Sequence, residues 1–332
     1  MRLKLIASTL ALAITSAALA EDNSWTDKIS LKGDFRFRHE IIDDASKTET
    51  RNRQRIRARL NIAGEVNDEF TVGIRLATGG NSPISTNQTL DSSFSTKDIG
   101  LDRAYFAYKP TSIEGATIKG GKFGVPFAKM EKTQLIWDGD LNLEGAAYQY
   151  KADSYFFNAG YFILEENSSS NDEMLYGLQV GSTLEAGDAD ITFGAGYYDY
   201  NNLPGMDINI LEAFLMAKFN ADSPWSLFAN YVQNTEAASD DTGYLFGFKY
   251  GKAKKQGQWD FTYFYEDLER NAVNTKFTNS DFGGGGTGHK GHVMNAGYMI
   301  KKNTKFGLTL FLNDKRRTID YKRVQADLSF KF

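Results

Sequence analysis

Residues 51–66 read RNRQRIRARLNIAGEV. Arg51, Arg53, Arg55, Arg57 and Arg59 fall on one parity, and Ile56, Ala58, Leu60, Ile62 and Val66 on the other. A period of two puts successive side chains on opposite faces of an extended strand, so one face is cationic and the other apolar. The same alternation continues outward from this stretch. Tyr244, Phe246, Phe248 and Tyr250 share one parity, against Gly243, Leu245, Gly247 and Lys249. At the end of the chain Val324, Ala326, Leu328, Phe330 and Phe332 alternate with Arg323, Gln325, Asp327, Ser329 and Lys331. No long segment carries a helical period.

Sixteen candidate strands follow, near 28–41, 51–63, 69–79, 98–109, 115–123, 144–151, 154–165, 174–185, 190–200, 209–219, 225–234, 242–251, 258–268, 291–301, 304–313 and 319–332. Aromatic residues fall on both parities in 154–165 and 190–200, so their register is open. Connections alternate between seven short turns and eight loops that are mostly longer and more polar. An even-stranded barrel with both termini at one end requires that count, and outer-membrane barrels pair short periplasmic turns with longer extracellular loops. A soluble sandwich would alternate too, with its polar face outside. The loop alternation, the export leader and the aromatic last strand separate the two.

The 332 residues are 41% hydrophobic, 24% charged and 14% aromatic, with 31 Gly, 5 Pro, 3 His and no Cys. Spanning helices need about 20 consecutive apolar residues, and nothing after residue 20 approaches this. The lack of Cys excludes disulfides, thiol catalysis and Cys-based zinc sites. Arg2 and Lys4, the apolar run 5–17 and Ala18-Leu19-Ala20 ahead of Glu21-Asp22 read as a cleaved secretory leader, residues 1–20. Residues 21–332 are then one barrel domain. Loss of the two leader cations takes the formal charge from −4 to −6. An exported acidic chain has no expected nucleic-acid partner.

The expected fold is all-β: a transmembrane antiparallel up-and-down barrel of 16 strands with its third long loop, about 124–143, folded into the lumen. That loop is too apolar for a solvated surface (Val125, Phe127, Met130, Leu135, Ile136, Trp137, Leu141, Leu143) and needs something to pack against. Arg36, Arg38, Arg53, Arg55, Arg57, Arg59, Arg75 and Arg103 cluster on the first four strands as a basic pore wall. Folding the loop inward is expected to set Glu131, Asp138, Asp140 or Glu144 opposite that wall. The wall either biases ion passage, as charged rings do in pores, or its arginines pair with lumenal carboxylates such as Asp34 and Glu40. Residues 80–97 are Ser/Thr/Asn-rich and read either as a hydrated loop or as a latch onto a neighbouring subunit. Gly283 to Gly286 are expected to form a flexible tip and no phosphate cradle, since neither GK[ST] nor a helix follows. No metal site or cofactor is expected, and His289 and His292 lack a third ligand.

The stretches RQRIRARL (53–60), VGIRLATG (72–79), LDRAYFAY (101–108), GKF (121–123) and IWDGD (136–140), with Glu144-Gly145, resemble the Putative porin family of Gram-negative bacteria. The terminal Phe332 resembles the signal by which outer-membrane barrels are handed to their assembly machinery. The resemblance implies a sixteen-stranded outer-membrane diffusion pore, a homotrimer, embedded in lipid and lipopolysaccharide and passing small hydrophilic solutes. The expected function is passive diffusion with weak anion preference and no catalysis. One rival is a solute-specific channel for sugars, phosphates or carboxylates, with Tyr105, Phe264 or Phe311 as lumenal aromatics. The other is a barrel enzyme using His39, His289 or His292.

Overall fold

The computed structural model describes residues 24–205 and 208–332. The leader assigned to residues 1–20 lies outside them. After one helical turn at Ser24–Asp27 the chain is built of strands. In order they are β1 Ile29–Asp44, β2 Arg51–Glu65, β3 Phe70–Thr78, β4 Gln88–Thr89, β5 Ile99–Tyr108, β6 Ala116–Gly124, β7 Asn142–Lys151, β8 Tyr155–Glu165 and β9 Glu173–Ala186. Then come β10 Ala189–Asn201, β11 Ile208–Phe219, β12 Trp225–Asn234, β13 Thr242–Gly251, β14 Trp259–Leu268, β15 His289–Lys301, β16 Thr304–Lys315 and β17 Ile319–Lys331.

Sixteen of these form the barrel wall, each antiparallel to its sequence neighbours. The two-residue β4 belongs to the second loop and pairs with Arg55 and Ile56 above the short β3. β17 closes on β1 over Asp34–Asp44, so neither strand is left with an open edge. Closure matters because an unpaired backbone group in lipid costs several kcal/mol.

The outer face is the apolar parity: Tyr244, Phe246, Phe248 and Tyr250 are exposed on β13, and Leu211 and Leu215 on β11. Near the turn end the ring centroids of Phe219 and Trp225 lie 3.8 Å apart, and those of Tyr250 and Trp259 5.3 Å apart. Such aromatics suit the headgroup level of a bilayer.

The two strands of open register resolve. On β8 Tyr155, Tyr161 and Ile163 face out and Phe162 is buried inside. On β10 Phe193 and Tyr197 face out while Tyr198 and Tyr200 face in and are buried. Both parities are aromatic because the inner face there is dry: the third loop packs on it. The expected wet interior therefore holds for only part of the circumference. Gly121 and Gly145 sit opposite each other at the root of that loop, with φ +111° and +155°. A Cβ at either would lie 2.1–2.3 Å from a carbonyl oxygen of the neighbouring strand, so only glycine fits.

Candidate functional site: the constriction

The third loop, residues 125–141, runs from β6 to β7 through the barrel interior. Phe127, Met130, Leu135, Ile136, Trp137 and Leu141 are buried in one cluster with inward side chains of β6 to β14, among them Phe162, Tyr198, Phe214 and Leu245. Trp137 stacks on Phe127 at 5.8 Å and meets the edge of Tyr198 at 5.1 Å. A buried amide then fixes the loop's height. Gln179 of β9 accepts from the Ala128 amide (2.7 Å) and donates to the Ala128 carbonyl (3.1 Å). Gln179 is itself held by Glu212 of β11, which also accepts from Tyr198 Oη (2.7 Å) and Asn230 (2.8 Å). Lys129 crosses the loop, donating to the carbonyls of Trp137 and Asp138, and burial pulls its ammonium down to about 8.

The arginine wall occupies β1, β2 and β17. Cross-strand register sets Arg36 against Arg57 and Arg38 against Arg55, pairings that repel on their own. Carboxylates interleave with them. Asp34 takes Arg57 (3.0 Å) and Arg59 (2.8 Å). Asp327 of β17 takes Arg38 through two bonds of 2.6 and 2.7 Å. Glu40, fully buried, takes Arg53, Arg323 (2.6 Å) and Gln325 (3.0 Å). Such charge-assisted, bidentate bonds hold guanidinium planes in fixed orientations.

Besides the second loop, whose Asn87 bonds Arg36 and Arg55, two loops bring carboxylates to this wall. Asp140 of the third loop lies 3.2 Å from Arg59 and 3.6 Å from Arg57, and accepts from the Thr86 amide and hydroxyl of the second loop. Burial alone would raise the Asp140 carboxyl; Arg57 and Arg59 outweigh it and hold it below its ordinary value. The other is the seventh loop, residues 269–288, which also folds inward. Asp281 binds Arg323 (2.7 Å), Gln325 (2.9 Å) and Arg38 (3.3 Å). These partners overcome burial and drive its carboxyl far below the usual range.

The two inward loops are clamped together. The Asp138 amide donates to the Phe277 carbonyl (2.7 Å), Thr278 Oγ1 to the Leu135 carbonyl (2.9 Å), and the Ser280 amide to the Asp138 carboxylate (2.9 Å). Burial pushes the Asp138 carboxyl up to about 6, against the pull of the Asp140 and Ser280 amides.

The structure thus brings Arg36, Arg38, Arg53, Arg55, Arg57 and Arg59 together with Asp140. Arg75 and Arg103 stand apart, held by Asp102 and Asn142: Arg75 pairs with Asp102, and Arg103 donates to Asn142 (2.7 Å). Asp138 faces the seventh loop. Glu131 is on the far side of the lumen with Lys249 (2.7 Å) and Ser226 (2.7 Å). Glu144 is not on the loop at all. It lies on β7 with an exposed side chain paired to Lys122, on the parity opposite buried Leu143.

Arg323, Gln325 and Asp327 share the inward parity of β17, and closure of the first strand on the last was enough to set them beside Arg38. Asp281 had no such signal. The Gly283–Gly286 segment is a packed turn rather than a flexible tip: Phe282 and Gly283 are buried, and a Cβ on Gly283 would lie 2.4 Å from the His289 ring. Phe264 and Phe311 pack beneath it with Phe282 and Val293. His289 is a hydrogen-bonded part of this loop, and His292 meets Tyr263 at 2.9 Å. Among the described residues no group of three or more His, Cys, Asp or Glu is arranged to hold a metal.

The family model described as Putative porin matches residues 43–226 and 212–332. No curated protein matches the chain in sequence. Among solved structures, OprB of Pseudomonas putida in its high-pH form aligns at TM-score 0.67 with 11% identity, over 92% of this chain and 95% of that one. A triple mutant of the Rhodopseudomonas blastica porin aligns at TM-score 0.59 with 14% identity, over 92% and 100%. Another mutant of the Rh. blastica porin gives 0.60 and 15%, with the same coverage. At these identities the structures speak to the fold alone, whereas the family match spans most of the chain. The protein belongs to the family described as Putative porin, and is a non-enzymatic outer-membrane β-barrel channel for small solutes.

Proposed function

We propose that the channel passes small hydrophilic solutes and ions by passive diffusion, with a weak preference for anions set where loops three and seven meet the arginine wall. The observation that carries this reading is the charge balance there. Seven guanidinium groups (Arg36, Arg38, Arg53, Arg55, Arg57, Arg59, Arg323) share five carboxylates (Asp34, Glu40, Asp140, Asp281, Asp327) within 4 Å. The surplus is small and positive, so the wall attracts anions without excluding cations. Because Asp140 touches Arg57 and Arg59 directly, most of the field is spent within the pairs rather than across open water. The expected assembly is a homotrimer in lipid and lipopolysaccharide, with Phe332 as the mark for the barrel assembly machinery. Fully exposed Phe94 on the outer half of the second loop suits a contact with a neighbouring subunit.

Swelling of proteoliposomes with a panel of sugars, amino acids and phosphate esters tests the reading. Rates that fall smoothly with solute size support general diffusion. A sharp preference for one solute independent of size contradicts it.

A further inference from the structure

A cavity of about 360 Å³ opens at the loop end of the barrel, where the ends of β1, β2, β16 and β17, with Arg53, Arg55 and Arg323 of the arginine wall, meet residues of the first, second and seventh loops. Six cations line it: Lys47, Arg51, Arg53, Arg55, Lys315 and Arg323. Its acids are Asp44, Glu49 and Asp281. Most of these charges are already matched. Lys315 holds Asp44 at 2.8 Å, and Arg323 holds Asp281 at 2.7 Å. Arg53 and Arg323 both bind Glu40 behind the cavity wall.

Three cations are left over. Among the described residues Lys47 and Arg51 make no ion pair within 4 Å, and both are exposed to the cavity mouth. Arg55 reaches Glu40 only at 3.8 Å. Its hydrogen bonds go to neutral acceptors, the Asn87 carbonyl (3.2 Å) and Ser85 Oγ (3.4 Å), and its buried Nε–H has no acceptor. Of the acids only Glu49 is likewise unmatched, so the uncompensated charge is close to two positive units in a space the size of a small solute. Guanidinium groups suit oxyanions because their planar forks offer parallel donors.

We propose that this cavity is a binding subsite for small dianionic solutes, a phosphate or a short dicarboxylate, through which they enter the channel ahead of the constriction. The proposal rests on the diffusion reading and gives it a solute class.

Two measurements on the purified full-length protein separate the proposal from that reading. One is calorimetric titration of the detergent-solubilised protein with inorganic phosphate, succinate and acetate. The other is single-channel current in potassium chloride with the same anions added to the loop side. Saturable binding of phosphate or succinate, with a matching saturable fall in current and no such effect of acetate, is the expected result. Which dianion acts tells phosphate from dicarboxylate as the source. Arg51→Gln and Lys47→Gln, both at exposed positions that tolerate substitution, are expected to weaken binding by about tenfold each, the loss of one charge-assisted contact. Arg55→Gln should weaken it further. A protein that conducts chloride yet shows neither heat nor saturation with either dianion overturns the subsite and leaves the channel standing. So does binding that is unchanged in all three variants. A protein that binds phosphate but passes no current overturns the diffusion reading instead.

Discussion

The barrel has two inner walls that obey the same alternation and do opposite things. On β1, β2 and β17 the inward parity is Arg, Glu, Gln and Asp, tied into an ionic lattice around buried Glu40. On β7 to β14 it is largely Leu, Phe, Tyr, Ile and Val around the buried polar group of Gln179, Glu212 and Asn230, and the third loop seals it. One wall presents charge to the solute. The other holds the loop rigid against that charge. Period-two patterning reports which side chains share a face, and it is silent on whether that face meets water or another piece of the chain.

The difference can be broken first on the dry side. Trp137→Ala removes the ring between Phe127 and Tyr198 and should cost about 3–5 kcal/mol, the range for a large aromatic taken from a packed core. Urea unfolding in lipid vesicles measures the loss, and single-channel traces should become noisier and larger as the loop loosens. On the ionic side, Asp281→Asn removes one carboxylate from Arg38 and Arg323, which keep Asp327 and Glu40, and should raise the anion-to-cation permeability ratio about three- to tenfold, a unit charge a few ångströms from the path at intermediate dielectric. An unchanged ratio would place the path away from these arginines.

The clamp between loops three and seven gives a smaller, pH-dependent effect. The Asp138 carboxyl is raised to about 6 in the clamped state, so that state binds its proton more tightly than a released loop does. Its extra stability is fully present below the free-carboxyl value of about 3.9 and is lost as pH rises through about 6. Open-state current should therefore rise between pH 5 and pH 7, and Asp138→Asn should flatten that rise. The smallest effect belongs to Glu144. Its exposed pair with Lys122 contributes within about 1 kcal/mol, and Glu144→Gln should leave selectivity untouched.

Much of this was legible in the residues. The sixteen wall strands stand within three residues of where alternation puts them, because a barrel wall has one inner and one outer parity throughout. The wall arginines of β1 and β2 were legible for the same reason, as was the inward third loop from its surplus of Trp, Phe and Leu. The register of β8 and β10 was not, since Phe162, Tyr198 and Tyr200 point at a loop rather than at water. Nor was the seventh loop. Its glycines read as slack, yet Gly283 at φ +58° and Gly284 at +87° form a packed turn directly after Asp281, the residue that binds Arg323. Glu144 already fell on the strand expected over 144–151; what alternation did not tell was its face, which is outward, opposite buried Leu143 and paired with Lys122.

The central claim is that the β1–β2 arginines set ion preference, and the reversal potential across a bilayer under a potassium chloride gradient tests it most directly. A modest anion preference that falls toward neutrality in the Arg55→Ala/Arg57→Ala double variant is the predicted result. A clear cation preference, unchanged by those two substitutions, would contradict it.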